Sequence, residues 1–437
     1  MAHWETEIWE PTVESGVPRR DRRFGGDKRY VPDLLEAHPL TLDTPLSRKV
    51  AEAERSVQQL SGPGAEALAS IARFLLRSEA IASSRIEGLA ASPQQVALAE
   101  LGSHETVRGI SQQAQWVANN ITVVRRATTE LVEAREVTTE HIVELHRALL
   151  PDQPSHHGLR VVQNWIGGSD WHPIEADFVP PAPELVPDLM RDLADFVNGA
   201  SHSPVVQAAL THAQFETIHP FTDGNGRVGR ALIHTVLTRR GLTSTAVLPV
   251  SLVLSTLRST YVEGLTAFRH DGESSSPEAV EGVRAWVDIF ADAVLAAAGQ
   301  STDLVDQIVV LQADWQRRVA EHRAAQGIRQ RPRADSATAR LVALLPEAPV
   351  VTVATVQRIL GVSQPAASAA LDELTEAGLF DTRRIERGTT AYLATEILDL
   401  VTHAERRLAS TRFDTRISGP NRPVPARPQR RDSSGPG

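Results

Sequence analysis

Twelve consecutive residues, His219-Pro220-Phe221-Thr222-Asp223-Gly224-Asn225-Gly226-Arg227-Val228-Gly229-Arg230, gather an imidazole that can accept a proton, a carboxylate that can ligate a metal, and two guanidinium groups among glycines. That inventory suits a nucleoside triphosphate. Upstream, Val205, Ala208, Ala209, Phe215 and Ile218 recur at helical spacing, and Val228, Leu232, Ile233, Val236 and Leu237 do so downstream. The pattern predicts a loop between two helices. Gly224-Asn225-Gly226 can adopt positive φ and turn successive N–H groups toward one point, where the second helix also presents its unsatisfied donors. The result is an anion nest. Singly, each residue has a plainer reading: His219 as a helix cap, Asp223-Gly224 as a turn, the arginines as a solvated helix face. At this spacing the plain readings do not hold together.

The segment resembles the signature of the Fic (Fic/Doc) family, HPFx(D/E)GNGRxxR, with every fixed position matched. The resemblance implies that His219 is a general base, taking the proton from a target hydroxyl while that oxygen attacks the α-phosphate of ATP. AMP would be transferred and pyrophosphate released. It further implies that Asp223 holds Mg²⁺ and that Asn225 with the amides of Gly224 and Gly226 holds the α-phosphate. Arg227 and Arg230 would reach the outer phosphates as forked donors, with Val228 and Gly229 completing the nucleotide site. A lysine at position 226 goes with the phosphotransferase branch of the family, so Gly226 points to AMP transfer.

A second segment bears on the first. In Ser83-Ser84-Arg85-Ile86-Glu87-Gly88, Glu87 stands just before a glycine expected to end its helix, where the macrodipole disfavours a carboxylate. A glutamate placed there calls for a cation. The segment resembles the family's inhibitory motif, (S/T)xxxE(G/N), preceding the catalytic core in the arrangement called class II. The resemblance implies that Ser83 and Glu87 are regulatory. Glu87 would pair with Arg230 in the place of the γ-phosphate, so that ATP binds out of line for attack.

Val161–Ser169 leads through a polar turn to Phe178-Val179-Pro180-Pro181 and reads as a hairpin before a helix at 184–198. It resembles the family's flap, whose edge pairs with the target backbone, which places Ile166, Gly167 and Gly168 at the nucleotide site. Tyr261 falls where relatives carry the first of two tyrosines near the adenine. Val262 departs from that pattern, and Tyr261 can equally be a core aromatic with a satisfied hydroxyl.

The frame is that of a multi-domain globular chain: 437 residues, 41% hydrophobic, net charge −9. The absence of cysteine excludes disulfides, thiol catalysis and cysteine–metal sites. Lys28 and Lys49 are the only lysines, so no Walker-type loop is available, and the charge disfavours broad nucleic-acid binding. No run reads as a membrane span and the first residues do not read as a leader, so the expectation is a cytoplasmic protein.

The fold expected is mainly α: a Fic-type helical core with a β-hairpin flap and a small winged helix-turn-helix domain. Its divisions are a flexible arm at 1–28, a helical region at 29–104 broken at Gly62-Pro63-Gly64, and a core at 105–300. A long helix and linker follow at 301–335, then the winged domain at 336–405 and a disordered tail at 409–437. In the winged domain, helices are read at 336–345, 353–360 and 363–377, with a wing at 379–393. Gln364 and Ser368 would face a major groove, with Arg383, Arg384 and Arg387 set for phosphates. Asp372, Glu373 and Glu376 on the same helix oppose DNA, leaving nucleic acid, protein interaction and dimerisation all open.

The leading expectation is therefore a protein adenylyltransferase, self-inhibited through Glu87, using ATP and Mg²⁺ on a Ser, Thr or Tyr hydroxyl of a target protein or of itself. The alternatives are hydrolytic removal of AMP and a DNA-binding regulator that senses ATP in the same pocket.

Overall fold

The computed structural model describes residues 1–11, 18, 21–35, 40–60, 68–243 and 246–410. Gly62-Pro63-Gly64 and the tail beyond Ser410 lie outside them. Within the expected flexible arm, two described segments form a ribbon: β1 (His3–Trp9) pairs antiparallel with β2 (Gly25–Val31). Trp4, Thr6 and Ile8 alternate with acidic neighbours, a period-two pattern partly masked by charge. Trp4 packs on Tyr30, with ring centroids 4.9 Å apart, and both rings reach Phe178. The expectation of helix from Arg29 onward is corrected by the same pairing, because residues 29–31 belong to β2.

Helix α1 (Thr44–Leu60) buries Leu46, Val50, Ala53 and Val57 on one stripe. Next come α2 (Ala72–Ile86), which Gly88 terminates at φ 79°, and α3 (Pro93–Gly102), opened by a Ser92/Gln95 capping box. The chain continues through α4 (Gln112–Thr128), α5 (Glu130–Glu133), α6 (Thr139–Leu149) and α7 (Val186–Asn198). At the centre stand α8 (Pro204–Ile218) and α9 (Asn225–Arg239), packed on each other and buried nearly all round. Helices buried on every side stand in a core's interior, and α9 brings polar groups there with it. α10 (Val250–Thr256) and α11 (Arg258–Phe268) lead to α12 (Pro277–Ala325), which Ser276 caps.

α12 is continuous for 49 residues, so the division expected at 300/301 falls inside one rod. By length and composition it could cross a membrane, the one such helix among the described residues. Its apolar face, however, is spent on α1, α8 and α11, with Trp286, Phe290, Val294 and Leu304 buried.

Beyond it, α13 (Ala337–Leu344), β3 (Val350–Val351), α14 (Val353–Leu360), α15 (Gln364–Glu376), β4 (Asp381–Glu386), β5 (Thr389–Leu393) and α16 (Thr395–Ser410) close the described chain. The strands form one sheet in the order β3-β5-β4. Two of the carboxylates that oppose DNA are engaged: Arg323 donates to Glu373 at 2.6 Å, and His322 lies 3.3 Å from Glu376. This end is not loosely tethered. α16 packs on α3, α10 and α12, and β3 packs on α3.

Candidate active site

α8 ends where His219 takes φ 49°, ψ 59°, the only positive φ of a non-glycine residue among those described. Such a backbone costs of order 1–3 kcal/mol and persists only where its surroundings impose it. Here they do. Nε of Arg160 donates to the His219 carbonyl at 2.9 Å, Nδ2 of Asn164 donates to it at 3.2 Å, and Asn225 exchanges two bonds of 2.8 Å with the Phe221 backbone. His146 stacks on Phe221 at 3.9 Å and bonds the Asp223 carbonyl. Burial pulls the His219 imidazole down to about 4 against the opposing pull of the Glu87 carboxylate. It is therefore an unprotonated acceptor at neutral pH.

Gly224 takes φ 80° and starts α9, leaving no room for a side chain: a Cβ would lie 2.7 Å from Leu149. The first-turn guanidinium of Arg227 is buried, and its Nε and Nη1 have no hydrogen-bond partner. Buried donors without acceptors are costly, so this is a cradle shaped for an anion. Asp223 is half-exposed, accepts from the Gly224 amide at 2.7 Å and lies 3.6 Å from Arg227. No group of three or more metal-binding side chains occurs among the described residues, so an ion at Asp223 would draw its remaining ligands from phosphate and water.

One turn further along α9, the fully buried Arg230 points to α2. Its Nε donates to Ser83 Oγ at 3.0 Å, and its Nη2 to the Ser83 carbonyl at 2.8 Å and to Glu87 Oε1 at 2.7 Å. Burial alone would raise the Glu87 carboxyl, yet Arg230, with Arg227 and His219, holds it below the ordinary carboxylate range. Gly226 makes this approach feasible, since a Cβ there would stand 2.0 Å from Glu87 Oε1. Ser83, Glu87 and the motif, 143 residues apart at the ion pair, thus meet.

The expected flap hairpin is reduced to one bridge, Ile166 to Phe178. Gly167 and Gly168 both take positive φ and prolines follow Val179, so no longer ladder forms. Side chains hold the segment instead: Gln163 bonds the Pro180 carbonyl, and Asn164 bonds those of His219 and Phe221. Ile166, Gly167 and Gly168 remain exposed at its tip.

Tyr261 is corrected: it is not an open wall for a base. It is 4% exposed and stacked on His212, with its hydroxyl 2.8 Å from His212 Nε2. Sequence reasoning also missed Arg160, Glu216 and Arg269. Burial lifts Glu216 to about 7 and lowers Arg269, which lies 3.4 Å over the Phe178 ring, to about 10. Glu216 stands three residues before His219, a helical spacing that could have flagged it.

Residues 136–237 match the Fic/DOC family. A curated protein adenylyltransferase fic-1 of Caenorhabditis briggsae is 32% identical over 142 residues, 31% of this chain and 26% of that protein. A probable protein adenylyltransferase of Aquifex aeolicus is 38% identical over 113 residues, 24% of this chain and 35% of its own length. The matched stretch thus spans about a quarter to a third of these relatives. In fold, the chain is similar to a crystal structure of a Fic family protein from Desulfovibrio desulfuricans G20, with a TM-score of 0.50 and 22% identity, covering 81% of this chain and 97% of that one. The residues matched to the Fic/DOC family contain the whole loop from His219 to Arg230.

Proposed function

We propose that the chain transfers AMP from ATP to a hydroxyl side chain of a protein, either a partner or itself, and that Glu87 holds the reaction in check. The observation that carries this reading is the anion cradle: Arg227 with two unpartnered buried donors, beside an unprotonated His219. His219 accepts the proton of the target hydroxyl. As that oxygen bonds to the α-phosphorus, the bond from the α-phosphorus to the bridging oxygen breaks, and pyrophosphate leaves with the electron pair. The α9 amides and Arg227 stabilise the charge on the phosphates. Asp223 would hold Mg²⁺, which neutralises charge on the triphosphate. Arg230 is the donor the outer phosphate needs, and Glu87 occupies it.

Asp223→Ala is expected to leave a residual reaction that no longer responds to added Mg²⁺, because Asp223 is the one protein ligand assigned to that ion in the proposed reaction. A magnesium titration of label transfer checks this, and an unchanged midpoint would place the metal elsewhere. At the carboxy-terminal end, the helix-turn-helix order and exposed Arg383, Arg384 and Arg387 support a binding module, with Glu373 and Glu376 turned to α12.

A further inference from the structure

Arg160 is buried with only carbonyl oxygens as acceptors. Besides the bond to His219, its Nη1 donates to Val162 at 3.2 Å, and its Nη2 to Pro181 at 2.6 Å and Ile218 at 3.3 Å. Its own amide donates to the Pro220 carbonyl at 2.8 Å. A guanidinium buried without a bonded carboxylate is an expensive way to stabilise a loop. What it gains is geometry, because one planar fork joins both limbs of the flap to the end of α8.

We propose that Arg160 is the positioning residue that fixes His219 in its left-handed conformation and ties the base to the flap. The proposal rests on the adenylyltransferase reading. In the Glu87→Gly background, Arg160→Lys keeps the charge and loses the fork. It should lower kcat by roughly tenfold to a hundredfold, the scale of a small misplacement, with KM for ATP nearly unchanged. Arg160→Ala should behave alike and regain activity on adding guanidinium.

A second readout needs no turnover. Among the ring resonances of the 15 histidines in nitrogen-labelled protein, that of His219, assigned by its loss in His219→Ala, should move in Arg160→Lys. An unmoved His219 ring, or a rise in KM with kcat intact, would overturn the positioning role. Should Glu87→Gly transfer no label, the functional reading fails while the ring resonance still decides the role of Arg160.

An independent set of contacts concerns control. Helix α2, which carries Ser83 and is capped by Glu87, is held at two points by the chain's last third. Arg77 donates to the Glu347 carbonyl at 3.3 Å, and Arg85, between Ser83 and Glu87, pairs with Glu405 of α16. Glu105 and Arg108, beyond α3, bond Thr352, Thr355 and Glu386.

We infer that α16 is a strut that keeps α2 in its inhibiting register, making the carboxy-terminal unit an input to the active site. This too rests on the proposed function. Glu405→Gln, with Glu87 intact, should raise labelling several-fold, less than Glu87→Gly does, and add nothing in the Glu87→Gly background. The swap Arg85→Glu with Glu405→Arg should return it toward wild type. Amide hydrogen exchange over Ser83–Gly88 should quicken in Glu405→Gln and recover in the swap. Wild-type exchange and labelling in Glu405→Gln would remove the strut, and the exchange result stands even if no variant transfers label.

Discussion

Glu87→Gly is expected to raise AMP labelling many-fold, the largest gain open to any single substitution in this chain. In the proposed function the Glu87 carboxylate and an outer phosphate would compete for one guanidinium, to which the carboxylate already bonds at 2.7 Å. Removing it leaves Arg230 as a preorganised fork, still anchored to the Ser83 hydroxyl and carbonyl. The ATP pose should change along with its affinity. Arg230→Ala in the Glu87→Gly background should then cancel the gain, because the group that orients the triphosphate is gone. The measurement is the initial labelling rate of the four proteins in the cycle. A double variant as active as Glu87→Gly alone would break the pairing, and an unchanged single variant would end the self-inhibition hypothesis.

His219→Ala should abolish transfer while leaving ATP binding nearly intact. In the proposed reaction the imidazole would act on the incoming hydroxyl and add little to the ground state, so the loss should be roughly a hundredfold to ten-thousandfold in rate. With the folded imidazole pulled down to about 4, the base stays free through neutrality. The rate should hold level on mild acidification and fall as pH approaches that value. Labelling by His219→Ala at the parent rate, in the Glu87→Gly background, would remove His219 from the mechanism.

The helix–loop–helix from Pro204 to Arg239 was legible because its signals are local. A base, a carboxylate, turn glycines and forked donors fall within one helix–loop–helix, where periodicity and turn chemistry both speak. The Glu87 device was half legible: a carboxylate at the wrong end of a helix dipole asks for a cation, but the identity of the cation came from resemblance. Arg160 was invisible, since its acceptors are backbone carbonyls spread from Val162 to His219 and carry no side-chain signature. The pairing of β1 with β2 was not legible for a related reason. Its stability lies in Trp4 meeting Tyr30 and Phe178, contacts that acidic local composition conceals. The flap reads as a hairpin because a polar turn joins its two segments, whereas consecutive left-handed glycines stop a ladder after one bridge.

The central claim is that the α-phosphate, and no other, is the group transferred. Glu87→Gly protein incubated with Mg²⁺ and ATP labelled at the α-phosphate, beside an identical sample labelled at the γ-phosphate, tests it directly. AMP transfer predicts protein-bound label from the α-labelled nucleotide alone, lost in the His219→Ala double variant. Protein-bound label from the γ-labelled nucleotide, or none from the α-labelled one, would contradict it.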